Sequence, residues 1–257
     1  MENYATAKVR ITRNQQSDDT LVLSADDAFC REMAKATRAQ VLWISTKGLV
    51  EQGAYLADGN INLVMKKGET SICVMPRADI PLPGLHNVEN VLACIAMSAS
   101  LGVATEQIAA AVRTFQAVPH RIEWIAKIDG VDYYNDSKAT NLDSVEKALT
   151  SFDRPVLLIA GGRDKGAPWT QLNDLVAKHV KGLALIGEAA EIGRAAWGGI
   201  VPRVEMASGM EDAVRRCRAM ANEGDVVLLS PACASFDMYK NFEERGEHFR
   251  KIVETMR

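Results

Sequence analysis

A mixed α/β fold built on mostly parallel sheet is predicted by three observations on the 257-residue sequence. From residue 130 onward, short apolar runs alternate with amphipathic stretches. Three of those runs lead straight into polar, glycine- or serine-bearing loops. The composition, 47% hydrophobic and 25% charged, is that of a soluble globular protein long enough for two domains.

In chain order, a polar, helix-like start at 2–13 precedes strand-like pieces at 20–23, 41–44, 61–64 and 71–74, punctuated by Gly and Asp. Ala25-Asp26-Asp27 followed by 28–36 has the form of a strand end leading into a helix. Residues 84–101 open a helix rich in Ala, Val, Leu and Met, the composition of a buried helix. Beyond it, strands are expected at 131–135, 156–160, 183–186, 204–207 and 226–230, with helices at 142–149, 170–178, 189–196, 210–221 and 242–256. That βα repeat suits a parallel sheet covered on both faces. A compact domain is therefore expected at 119–257, with 1–118 forming part of another α/β domain. No internal repeat, low-complexity stretch or long linker separates them.

A net charge of -3 argues against an electrostatic nucleic-acid binder. Cys30, Cys73, Cys94, Cys217 and Cys233 are scattered without a C-x-x-C pair, which fits reduced thiols in the cytoplasm. The start, Met-Glu-Asn-Tyr-Ala-Thr-Ala-Lys, lacks an apolar signal segment, and no run approaches the roughly 20 apolar residues of a membrane span. The expectation is a cytoplasmic protein with neither nucleic-acid nor membrane partners.

Chemistry concentrates in the loops. Residues 135–141, Asn-Asp-Ser-Lys-Ala-Thr-Asn, place a carboxylate at Asp136, a cation at Lys138 and a hydroxyl at Thr140 where an open α/β sheet binds ligands. The same residues also fit a plain helix start capped by Thr140 or Asn141. Gly161-Gly162-Arg163-Asp164-Lys165-Gly166 combines backbone freedom with two cations that could hold an anion. It fits neither the G-x-G-x-x-G fingerprint nor the G-x-x-x-x-G-K-[ST] phosphate loop. The third cluster, 230–246, holds Ser235, Phe236 and Phe242. Strand ends share one sheet edge, so Thr140, Lys165 and Ser235 could converge on a small anion. Phe236 and Phe242 are expected to pack in the core, leaving neighbouring N–H groups for a carboxylate. Cys233 reads as a packed residue rather than a nucleophile. Asn87 and Asn90, before and within the Ala-rich helix, could read an adenine edge, and Arg121 could pair with phosphate. Capping by Asn87 and a surface ion pair for Arg121 are the alternatives. His86, His120, His179 and His248 have no metal-ligand spacing.

Taken together, Tyr4-Ala-Thr-Ala-Lys8, Leu85-His-Asn-Val-Glu-Asn90, His120-Arg-Ile-Glu123 and the three clusters resemble the Mur ligases along essentially the whole chain. The Asn-Asp-Ser-Lys-Ala-Thr-Asn stretch points to the D-glutamate-adding branch. The resemblance implies a C-terminal Rossmann-like domain following the C-terminal part of a central α/β ATPase domain. It implies ATP-dependent, Mg²⁺-assisted formation of an amide between UDP-N-acetylmuramoyl-L-alanine and D-glutamate through an acyl phosphate, a cytoplasmic step of peptidoglycan synthesis. By family role, Asn87, Asn90, Arg121, Asp136 and Lys138 would contact ATP, with Lys138 nearest the reacting phosphoryl group. Thr140 and Lys165 would hold one D-glutamate carboxylate, and Ser235 with the Phe242 backbone the other, with Phe236 alongside. Lys8, as a carbamate, would help hold magnesium.

The chain departs from that pattern. The uridine-nucleotide domain, the phosphate loop and the family's magnesium-binding glutamate and histidine are not found in the 257 residues, and Arg163 stands where some members carry an acid. Three readings follow: a piece of a monomeric ligase, inactive alone; a non-catalytic binding module derived from one; or a Rossmann-type oxidoreductase, which the missing fingerprint opposes. If the first domain's sheet is incomplete, amide hydrogen exchange will show 119–257 better protected than 1–118. Equal protection would contradict that expectation.

Overall fold

The computed structural model describes residues 2–256, with side chains from 6 to 256. The Tyr4 side chain, one of the sequence anchors, lies outside the described residues. The chain divides into two compact units, Met1–Gln116 and Ala117–Arg257.

In the first unit, α1 (Glu2–Val9) precedes β1 (Thr20–Ser24), α2 (Ala28–Ala34), β2 (Gln40–Ser45), β3 (Gly53–Ala57), β4 (Asn60–Val64), β5 (Ile72–Pro76), α3 (Leu85–Ser100) and α4 (Thr105–Thr114). The strands form one sheet in sequential order, parallel from β1 to β3 and antiparallel from β3 to β5. Alternation sorts its faces. Leu42, Ile44, Ile61, Leu63 and Met75 pack beneath Val88, Leu92 and Ile95 of α3 and Ile108 and Val112 of α4. Leu21 and Leu23 point the other way, to Met33 near the end of α2. The paired acids after β1 divide their work. Asp27 caps α2 by accepting from the Cys30 N–H, and Asp26 reaches back to β2, accepting from Ser45 Oγ and the Thr46 N–H.

The second unit runs β6 (Glu123–Ile128), β7 (Val131–Asn135), α5 (Leu142–Leu149), β8 (Val156–Gly161), α6 (Asn173–His179), β9 (Val180–Ile186), α7 (Ala190–Trp197), β10 (Val204–Met206), α8 (Met210–Met220), β11 (Val226–Leu229) and α9 (Phe242–Thr255). Its six-stranded sheet has the order β10-β9-β8-β11-β7-β6, parallel except for the β6–β7 hairpin. Val156, Leu158, Val226 and Leu228 face one way, into a core with α5, α6 and α7. Leu157, Ile159, Val227 and Leu229 face the other, into a core with α8 and α9. Both faces are covered, as the continuous apolar strands predicted.

The expected elements are present, with the 170–178 helix divided into a 3₁₀ turn at Trp169–Leu172 and α6. Three further elements, β3, α4 and β6, had no counterpart in the expectation. Two of these enter hairpins whose two-residue turns are Asp58-Gly59 and Asp129-Gly130, with all four residues at positive φ. An Asp-Gly pair of this conformation matches the twist of the flanking strands, so it was the available signal.

Among the described residues no helix is long and apolar enough to cross a membrane. Leu158 is fully buried in β8. Leu158→Ala is expected to lower the unfolding free energy by about 2–5 kcal/mol, read as a shift in urea midpoint at unchanged m-value.

Candidate functional site

The topology of the second unit sets the site. β11 lies between β7 and β8, so the carboxyl ends of three adjacent parallel strands present the loops 136–141, 162–168 and 230–241 on one edge. The strand order reverses direction here, which is where open α/β sheets bind ligands.

The loop after β7 is held from beneath. Asn135 is fully buried; its amide nitrogen lies 3.0 Å from His120 Nδ1 and 3.2 Å from the Gly246 carbonyl, and its Oδ1 accepts from the Ser137 N–H. Asp136 is also buried, with one carboxylate oxygen accepting from Ser230 Oγ at 2.8 Å and the other from the Ile122 N–H at 3.2 Å. Burial pushes its carboxyl up to about 7, despite opposing contributions from those two hydrogen bonds and the Arg121 charge. The loop then closes as a capped helix start: Asn141, rather than Thr140, accepts from the Ser144 N–H and caps α5. Of the two sequence alternatives, the capped helix start is present at Asn141, and it leaves Lys138 and Thr140 half-buried at the edge.

Strain accompanies this support. His120 (φ 65°) and Ile122 (φ 44°) both occupy the left-handed region that a β-branched residue rarely adopts. The His120 N–H bonds Glu123 Oε2, its carbonyl accepts from the Lys138 N–H, and Glu123 pairs with Arg250.

The loop after β8 needs both of its first glycines. At Gly161 a Cβ would stand 2.0 Å from the Ile186 carbonyl oxygen, and at Gly162 one would stand 2.4 Å from that of Ala234. Arg163 exchanges both backbone hydrogen bonds with Ala234, joining this loop to the one after β11. The Arg163 side chain forms an exposed bidentate pair with Glu188, screened by solvent and so a weak tie. Asp164 shapes the turn. Burial would raise its carboxyl, but hydrogen bonds from Trp169 Nε1 and the backbone of Gly166 and Lys165 hold it below the usual carboxylate range.

These supports bring predicted ligand residues together. Lys165 Nζ donates to Thr140 Oγ1 at 3.3 Å, across 25 residues of sequence. Lys138 Nζ sits 3.7 Å above the Phe242 ring centroid, a cation–π contact. Ser235 is buried, and its carbonyl accepts from the Met238 and Tyr239 N–H groups. Asn241 caps α9 by accepting from the Glu244 N–H.

Core packing does not hold for the two phenylalanines. Phe236 is 62% exposed, because the chain leaves the sheet edge after Ser235, and Phe242 is half-buried, with its ring edge-on to His120 and beneath Lys138. Cys233 is the packed residue expected, its thiol pushed up to about 12 by burial. Arg121 is exposed, 15 residues before the Asp136 whose carboxyl it influences.

Lys8, Asn87 and Asn90 belong to the first unit. Lys8 is exposed in the last turn of α1. Asn87 is not the cap of α3, which starts after Gly84. Its amide donates to the Pro83 carbonyl at 2.7 Å, and its Oδ1 lies 3.4 Å from Asn90 Nδ2. Among the described residues no group of three or more His, Cys, Asp or Glu could hold a metal ion. An open hollow of about 670 Å³ at the start of α8 is lined by none of the predicted ligand residues, and its Asp212 is already paired with Arg215 and Arg216.

One residue that no sequence signal singled out ties the loops together. Arg245, in the first turns of α9, has 0% exposure. Its Nε donates to Ser137 Oγ at 2.9 Å, one terminal nitrogen to the Ser137 carbonyl at 2.8 Å, and the other to the Cys233 carbonyl at 3.1 Å. Ser137 Oγ in turn donates to the Phe242 carbonyl at 2.8 Å. Burial pulls the guanidinium down to about 10, so it remains charged at neutral pH.

A mostly parallel sheet with cation- and hydroxyl-bearing loops at its switch point, following a smaller mixed sheet in the sequence, defines the class. The chain belongs to the Mur ligase family: residues 1–98 match the Mur ligase middle domain and residues 120–233 the Mur ligase, glutamate ligase domain. Among curated relatives it is 48% identical over 255 residues to the UDP-N-acetylmuramoylalanine--D-glutamate ligase of Koribacter versatilis (strain Ellin345), covering 99% of this chain and 55% of that protein. It is 42% identical over 252 residues to the protein of the same name from Acidobacterium capsulatum, covering 98% and 54%. The chain thus spans about half the length of the curated relatives it matches. In fold it is similar to a pseudomurein peptide ligase type C from Methanothermus fervidus, with a TM-score of 0.69 at 16% identity over 100% of this chain and 60% of that one. A UDP-N-acetylmuramate-alanine ligase from Thermotoga maritima gives 0.66 at 14% identity, over 100% and 56%.

The buried Asp136 makes stability depend on pH. The folded chain keeps this proton to about pH 7, whereas an unfolded aspartate releases it near 3.8. The unfolded state then binds fewer protons across that window, so this contribution is full below about pH 4 and is lost as pH rises through 7. Asp136→Asn should remove it. The stability of the wild type relative to the variant is expected to fall by on the order of a few kcal/mol between pH 4 and 7.5, measured by urea unfolding at several pH values. A difference constant with pH would refute the assignment.

Proposed function

We propose that this chain supplies the amino-acid-binding half, and part of the nucleotide-binding half, of an ATP-dependent ligase that joins D-glutamate to UDP-N-acetylmuramoyl-L-alanine. The observation that carries the proposal is the meeting of Lys165 and Thr140 from two different strand ends, 3.3 Å apart. A lysine and a hydroxyl held together make a donor pair for one carboxylate. The loop after β11 and the start of α9 bring Ser235 and the Phe242 backbone as the second. A dicarboxylic amino acid needs two such anion sites, and the names of the curated relatives agree with glutamate.

On this reading Lys138 answers the charge of the transferring phosphoryl group. To do so it would give up the Phe242 ring, a contact worth about 0.5–2 kcal/mol, for a stronger anionic partner. Arg121, exposed beside the strained 120–122 turn, is available to phosphate. Asp136 would serve the sugar end of ATP, and Asn87 and Asn90 the adenine. The donor set suits an anionic nucleotide: cations and amides at loop ends, with an aspartate only partly ionised near neutral pH. Mg²⁺, when bound, would offset triphosphate charge. Lys8 as a carbamate would be one ligand for it, and no complete metal cluster is present among the described residues.

The test is calorimetric titration of the 257-residue chain with D-glutamate and with L-glutamate. D-glutamate binding, weakened about tenfold or more by Lys165→Ala through loss of a charge-assisted hydrogen bond, is expected. Absence of binding to the D-enantiomer, or equal affinity for both, would overturn the reading. Phosphate release dependent on ATP, D-glutamate and UDP-N-acetylmuramoyl-L-alanine is not expected of the chain alone, and its appearance would show that these residues suffice for catalysis.

A further inference from the structure

The residues that would touch the amino acid do not by themselves set the distance between its two carboxylate anchors. Thr140 belongs to the loop after β7, and Ser235 to the loop after β11. Loops on neighbouring strands can shift by an ångström at little cost unless something ties them. The one fully buried arginine among the described residues does so. Arg245 donates twice to Ser137, three residues before Thr140, and once to the Cys233 carbonyl, two residues before Ser235. It also sits three residues after Phe242, whose carbonyl accepts from the same Ser137 hydroxyl. Its terminal nitrogen limits the loop after β8 as well, since a Cβ on Gly162 would approach it to 3.3 Å.

We propose that Arg245 is a positioning residue that fixes the separation between the Thr140–Lys165 anchor and the Ser235–Phe242 anchor, and thereby makes the site select a five-carbon dicarboxylic amino acid over its four-carbon homologue. The guanidinium suits the task for a geometric reason. Its planar fork reaches three acceptors on two loops from one rigid group, whereas a lysine ammonium at the same place can satisfy one loop and leaves the other free. The remaining acceptors are backbone carbonyls and a hydroxyl, so the group acts through hydrogen-bond direction rather than through a carboxylate partner. A missing methylene in a well-fixed site is worth about 10- to 200-fold in discrimination. That ratio is the property a loosened tie erodes.

The inference rests on the D-glutamate reading, and one experiment separates the two. D-glutamate and D-aspartate are titrated calorimetrically into the full 257-residue chain, its Arg245→Lys variant and its Ser137→Ala variant, with melting curves run in parallel. The wild type is expected to prefer D-glutamate by about tenfold or more, and Arg245→Lys to reduce that preference at least about fivefold. Replacing a merely stabilising arginine would lower the melting temperature and leave the ratio alone. A folded Arg245→Lys variant keeping the wild-type ratio within about twofold overturns the proposal. If that variant does not fold, Ser137→Ala, which removes one of the arginine's acceptors and the link to Phe242, is judged by the same ratio. A wild-type chain that binds neither amino acid overturns the functional reading itself, and this inference with it.

Discussion

The pairing of β11 between β7 and β8 is the constraint on which the second unit depends. Its four residues, Val226 to Leu229, have no exposed surface, and each alternate side chain enters one of the two cores. At about 1.5–3 kcal/mol for each fully buried aliphatic side chain, this short strand contributes more than its length suggests. It also shapes the candidate site, because inserting the last strand in the centre places the loops after β7, β8 and β11 side by side. A β11 at the sheet's edge would leave Thr140 and Ser235 on loops with no shared neighbour.

Above those strand ends, polar groups take over from apolar packing. Asn135, Asp136, Ser137, Ser230 and Arg245 are all buried, and hydrogen bonds that satisfy them run between elements far apart in sequence. Such bonds add little net stability, about 1 kcal/mol each, but leaving any one group unpaired is expensive. The network therefore tolerates one arrangement of the loops and penalises others. The left-handed backbone at His120 and Ile122 belongs to the same economy of form: the turn is held because Ile122 N–H meets Asp136 and His120 meets Asn135 and Glu123.

Most of the second unit was legible in the sequence because fully buried parallel strands are written as unbroken apolar runs, and 156–160 and 226–230 leave little choice. The three polar clusters were legible as candidates for the same reason, standing out against the strands they follow. What escaped has identifiable causes. β6 mixes Trp124 and Lys127 with apolar residues, as an edge strand half open to solvent does, and only the Asp129-Gly130 turn betrayed its hairpin. β3 was hidden similarly behind Asp58-Gly59. Phe236 was assigned to the core by residue type, though its place past Ser235 carries it off the sheet. Arg245 could not be found by pattern at all, since an arginine on an amphipathic helix ordinarily faces water.

The central position of β11 also orders events in time. β7 and β8 are next-but-one neighbours, and until residues 226–229 leave the ribosome neither has its parallel partner on that side. Roughly ninety residues separate the end of β7 from the end of β11, which at about 5–20 residues per second amounts to several seconds of synthesis. Through that interval a five-residue and a six-residue strand keep an open edge, the condition under which chains pair with one another instead of with themselves. The tie between α9 and the loop after β7 comes later still, so the candidate site is the last part of the unit that a nascent chain can complete.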